Sequence, residues 1–79
     1  MRYTVVIAST SEQAHLIARR ERLRRWKPAT RAEHLRGYGP ECRFIQVEPP
    51  LTDDAAFYGA LDELRRLKAK GAQVELVYT

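Results

Sequence analysis

The chain is poor in the residues that give small folds reinforcement or ready-made chemistry. It has one cysteine, Cys42, so neither an internal disulfide nor a multi-cysteine zinc site can form. A lone thiol suits a reducing compartment, and the cytoplasm is the expected location. There are four glycines, and none completes G-x-G-x-x-G or G-x-x-x-x-G-K-S/T, which disfavours nucleotide binding of those types. No apolar run approaches the roughly 20 residues needed to cross a bilayer, so no membrane partner is expected. Met1-Arg2-Tyr3-Thr4 leads into a short apolar run with no cleavage-type signal after it, so secretion is not expected. The two histidines, His15 and His34, have no metal-ligand spacing to each other or to Cys42. No metal, cofactor or catalytic residue is assigned, and an enzyme is the least favoured class.

What remains is an ordinary globular composition on a small scale. Over 79 residues, 44% are hydrophobic and 30% charged, which argues against wholesale disorder. A chain of this mass buries about 63% of its unfolded surface, enough for one core and a single small α/β domain over 1–79. Net charge is +4, unevenly placed. Residues 1–40 carry nine bases and three acids, and residues 41–79 carry five bases and seven acids. Eleven of the fourteen bases are arginine, whose planar fork suits phosphate and carboxylate. A GC-rich genome would give the same bias.

The hydrophobic pattern predicts strands separated by helices. Tyr3 to Ala8 is a short β-branched run, as in a strand buried on both faces. Ser9 with Glu12, or Thr10 with Gln13, has capping-box spacing and starts a helix. That helix is expected to reach about Trp26, because Pro28 disfavours helical geometry at Lys27. Its apolar stripe is read as Leu16, Leu23 and Trp26. Thr30 and Glu33 have the same spacing and predict a short helix over 31–36, ended by Gly37. Arg43 to Val47 reads as a second strand, ended by Pro49-Pro50. Thr52-Asp53-Asp54 opens a further helix that Gly71 closes, and Gln73 to Tyr78 forms the last strand. The expected fold is a three-stranded parallel sheet, β-α-(α)-β-α-β, with strand order 2-1-3 and helices on both faces. It resembles one half of a doubly wound fold. Its open edges favour a homo-oligomer.

Two clusters stand out. Arg19, Arg20, Arg22, Arg24, Arg25 and Lys27 place six bases in nine residues. On one helix they would repel each other, so an acidic partner would stabilise them. Nucleic-acid phosphate, an acidic protein surface, or the acids of the chain's own second half all satisfy that need. The second cluster is Ser9, Thr10 and Ser11 with Glu48, at the carboxyl edge of the expected sheet, where open α/β folds hold ligands. Helix-start hydroxyls and amides can hold an anion there, but capping alone also explains them. Tyr3, Tyr38, Tyr58 and Tyr78 offer an aromatic surface suited to protein contacts.

The segment Val5-Val6-Ile7-Ala8-Ser9-Thr10-Ser11-Glu12-Gln13-Ala14 resembles a strand-then-helix segment of RecA-like helicase and terminase ATPases. The stretch from His34 to Glu48 is similar to the approach to their acidic metal-side strand. The phosphate-binding loop is missing, and Gln46-Val47-Glu48 lacks an Asp before the Glu, so the resemblance implies architecture and not ATP hydrolysis. In size and arginine usage the chain is also similar to small accessory proteins of actinobacterial phages, which implies a binding role. The expectation is a non-enzymatic binding module for DNA or RNA through the Arg-rich helix at 19–27. The alternative is a protein-interaction module, either a phage-type modulator of a host protein or a self-assembling dimer, using a sheet edge or the aromatic surface.

Overall fold

The computed structural model describes residues 3–48 and 54–78, so Pro49, Pro50, Thr52 and Asp53 lie outside the described residues. Strand β1 (Thr4–Ile7) leads to helix α1 (Ser11–Arg20) and strand β2 (Trp26–Ala29). A 3-10 turn (Ala32–Leu35) precedes strand β3 (Arg43–Glu48), helix α2 (Ala55–Ala69) and strand β4 (Gln73–Tyr78). The sheet is parallel, as expected, but it has four strands in the order β2-β1-β3-β4. This corrects both the three-stranded sheet and the order 2-1-3. The last strand lies beside β3, because the extra strand β2 occupies the free side of β1. The segments Arg-Phe-Ile-Gln-Val-Glu and Gln-Val-Glu-Leu-Val-Tyr have similar alternation. In the fold, β3 is interior and β4 is an edge.

The extra strand exists because α1 stops six residues short of Trp26. Thr10 Oγ1 accepts from the Gln13 amide and caps the start. At the other end Glu21 is the last half-helical residue, and Arg22 turns left-handed at φ 54°. The Arg22 amide donates to the Arg19 carbonyl (3.2 Å), and the Leu23 amide donates to that of Ala18 (2.9 Å). These two bonds make a Schellman ending, a motif that usually places glycine at the left-handed position. α2 ends with the same pair of bonds, Gly71 to Lys68 and Ala72 to Leu67, with Gly71 at φ 101°. The Arg-rich stretch is therefore not one helix. Arg19 and Arg20 end α1, Arg22, Arg24 and Arg25 sit in the connection, and Lys27 belongs to β2.

β2 tolerates Pro28 because it is an edge strand. Thr4 donates to the Arg25 carbonyl (2.9 Å) and Ala8 to that of Ala29 (3.1 Å), so odd-numbered residues turn their backbone to β1. Pro28 has the opposite parity, so its nitrogen, which carries no hydrogen, faces the open edge. In the next connection, Thr30 does not cap the 3-10 turn, as the Thr30–Glu33 spacing predicts. Its amide donates instead to His34 Nδ1 (3.1 Å), which fixes that nitrogen as an acceptor. Gly37 takes φ 90° just after the turn.

Alternation along β1 divides the core in two. Val5 and Ile7 pack with Phe44, Phe57, Ala60, Leu64 and Leu67 under α2 and the 3-10 turn. Val6 and Ala8 pack with Ala14, Ile17, Ile45 and Val47 under α1. Helices thus cover both faces, as expected. The two helical crossovers run in opposite directions on opposite faces, so they share one hand. α1 buries Gln13, Ala14, Ile17 and Ala18, whereas Leu16 is 57% exposed. The expected stripe of Leu16, Leu23 and Trp26 needs the helix to run on for nearly two turns beyond Arg20, and the buried face shifts because it does not. Cys42 is a free thiol buried among the α2-side residues. No helix among the described residues is long and apolar enough to cross a membrane.

Candidate nucleic-acid interface

The early end of α1 shapes the surface beside β2. Leu23 folds back under the last turn of the helix, and the chain then enters β2 at Trp26. Both side chains are half-buried against the α1-side core. Between them and the helix lies a shallow hollow of about 620 Å³, lined by His15, Ala18, Arg19, Arg22, Leu23 and Trp26. His15 meets Trp26 edge to face, with centroids 4.9 Å apart and planes at 90°. The hollow therefore combines an aromatic wall, an apolar floor and two guanidinium-bearing side chains.

The structure distributes the six predicted bases unevenly. Arg19 and Arg22 border the hollow. Arg24 and Arg25 are exposed in the connection just beyond it. Arg20 is engaged elsewhere: its Nη2 donates to the Tyr78 carbonyl (3.0 Å), and its Nε lies 3.7 Å from the Glu21 carboxylate. Lys27 is exposed but shares parity with Ala29, which packs on the α2 side, so it faces away from Trp26. Among the described residues, Arg19, Arg22, Arg24, Arg25 and Lys27 form no salt bridge. Two acids of the second half pair within α2, Asp62 with Arg65 and Glu63 with Arg66. Glu75 holds Arg43 with two bonds of 2.8 and 3.0 Å between neighbouring strands. That bond to the guanidinium draws the Glu75 carboxyl below its ordinary range and holds the Arg43 guanidinium charged.

The second predicted cluster sits where open sheets bind ligands. β1 and β3 are neighbours, and the connections leaving their carboxyl ends pass to opposite faces. Ser9, Thr10 and Ser11 follow β1 there, beside Glu48 at the end of β3. Three of them make local hydrogen bonds. Thr10 caps α1, the Ser9 amide donates to Gln13 Oε1 (3.0 Å), and Glu48 accepts from Gln46 Nε2. Glu12 in the first helical turn and Glu48 add negative charge, which opposes an anion. Gln13 is 6% exposed, and its Nε2 has no hydrogen-bond partner. The amide orientation is set by Ser9, whose N–H needs the oxygen.

His15 and Trp26 complete the hollow, whereas the sequence offers His15 only as a histidine without metal-ligand spacing and Trp26 only as part of an apolar helical stripe. Their contact depends on a turn at Arg22 that no glycine announces. On one continuous helix the 11-residue separation of His15 and Trp26 would put them on the same face but about 16 Å apart along the axis, so their contact cannot be read from the sequence. Among the described residues no group of three or more His, Cys, Asp and Glu side chains converges. No family model, curated protein or solved structure matches this chain significantly.

Proposed function

We propose that the protein is a nucleic-acid-binding module whose contact surface is the end of α1, the connection to β2 and the hollow beside Trp26. One observation carries the reading: Arg19 and Arg22 border a hollow with an aromatic wall, Arg24 and Arg25 are exposed in the adjoining connection, and among the described residues none of the four forms a salt bridge. Phosphates would relieve the repulsion among these four, and arginine binds phosphate with paired donors. An accessory role of the kind found in small phage proteins belongs to the same proposal.

The test is titration of a labelled oligonucleotide over a range of salt concentrations. Engagement of four arginines predicts a slope of log K against log salt of roughly −3 for a single strand. Charge reversal at Arg19 and Arg24 should abolish binding. A complex that ignores salt, or none at low ionic strength, would overturn the reading.

A second reading has its own support. β4 is an open edge strand that exposes Leu76 (55%) and Tyr78 (66%) on one face. Such an edge suits pairing with another chain, most simply a second copy of this one.

A further inference from the structure

We propose that the hollow beside Trp26 holds an unpaired nucleobase, so that the module prefers single strands to duplex. The inference rests on the nucleic-acid reading above and narrows its substrate. Three features carry it. The hollow is concave and walled by an aromatic ring, whereas a site that follows duplex backbone needs only charge. Arg19 and Arg22 line the same hollow as Trp26, within reach of the phosphates that flank a stacked base. The third feature is the conformation of Arg22.

α1 and α2 end in the same Schellman arrangement, but α2 uses Gly71 at the left-handed position and α1 uses Arg22. A side chain there costs backbone energy that glycine avoids. Strained residues of this sort cluster at functional sites. In α1 the strained residue carries a guanidinium on the rim of the hollow. Bases in a duplex are stacked and paired, so one reaches such a hollow only when a strand is open.

Trp26 is the protein's single tryptophan, so its fluorescence reports on the hollow directly. The protein should be titrated at low salt with an oligothymidylate and with a duplex of equal length, following both fluorescence and affinity. The expected result is quenching by the single strand and binding at least about fivefold tighter than to duplex, the lower bound for stacking one base. Arg22→Gly keeps the helix ending and should weaken single-strand binding without lowering the melting temperature. Trp26→Phe keeps a ring in the core and should retain part of the preference. Equal binding to both forms without quenching would overturn the base-holding site and leave the nucleic-acid reading standing. Binding to neither would overturn both.

Discussion

Arg22 shows how one residue can work against the stability of its own fold. Its φ of 54° lies in the left-handed region, where a side chain costs about 1–2 kcal/mol. Gly71 avoids that cost at the matching position of α2. Arg22→Gly should therefore stabilise the protein, by about 1 kcal/mol once the greater freedom of glycine in the unfolded chain is set against the gain. Arg22→Val should destabilise it, because a β-branched residue fits that region worst. Urea unfolding checks both. A midpoint for Arg22→Gly at or below that of the wild type would show that the turn is not strained. The same residue explains why the end of α1 was hidden in the sequence. Gly71 announces a helix end; an arginine among arginines does not.

The consequences of that hidden turn appear at the scale of elements. β1, β3, α2 and β4 were legible because their apolar periods match their geometry and because Pro49, Gly71 and the acids before α2 punctuate them. β2 was not. It has four residues, one of them proline, and its one large apolar residue is a tryptophan that also fits a helical stripe. Only its edge position, a property of the whole sheet, makes Pro28 acceptable there. Half of the candidate site was legible, since charge clustering marks Arg19 to Lys27 whatever the backbone does. The aromatic wall was not, because it requires the chain to reverse at Arg22. The corrected α1 has a measurable signature. Ile17 is fully buried among Val6, Ile45 and Val47, whereas Leu16 faces solvent. Ile17→Ala should cost about 2–5 kcal/mol, a large share of the roughly 4–12 kcal/mol expected for a domain of this length. Leu16→Ala should stay within about 0.5 kcal/mol of the wild type. If the two substitutions cost the same, α1 does not present this face.

At the scale of the whole molecule, the two sheet edges are protected to very different degrees. β2 is short and carries Pro28 and an exposed Lys27, both of which discourage pairing with another strand. β4 has six residues, none of them proline or lysine. Val74, Leu76 and Tyr78 share its α2-side face, next to a hollow of about 260 Å³ that Leu61, Leu64 and Arg65 also line. A two-fold axis perpendicular to the sheet would pair β4 antiparallel with its copy and join the two sheets into one. The register follows from charge. Centring the axis on Glu75 would set two carboxylates against each other, which is unfavourable. Centring it on Leu76 sets Leu76 against the partner's Leu76, Val74 against the partner's Tyr78, and Glu75 against the partner's Val77. A pairing of six residues buries less than a standard interface, so the dimer should be weak and form only as concentration rises. Sedimentation from micromolar to near-millimolar protein should show that transition. Leu76→Lys should hold the protein monomeric with its circular dichroism unchanged, and Leu76→Cys should cross-link the dimer on oxidation, because side chains directly opposite lie about 4.5–5.5 Å apart at Cβ. A wild type that stays monomeric throughout, or a Leu76→Lys variant that still dimerises, would rule this edge out. The dimer would carry a basic hollow at each outer edge, roughly 34 Å apart if the joined sheet were flat. A strand long enough to reach both hollows would then bind more tightly than one that fills a single hollow. In the Leu76→Lys variant that gain with length should disappear while the affinity for short strands is kept.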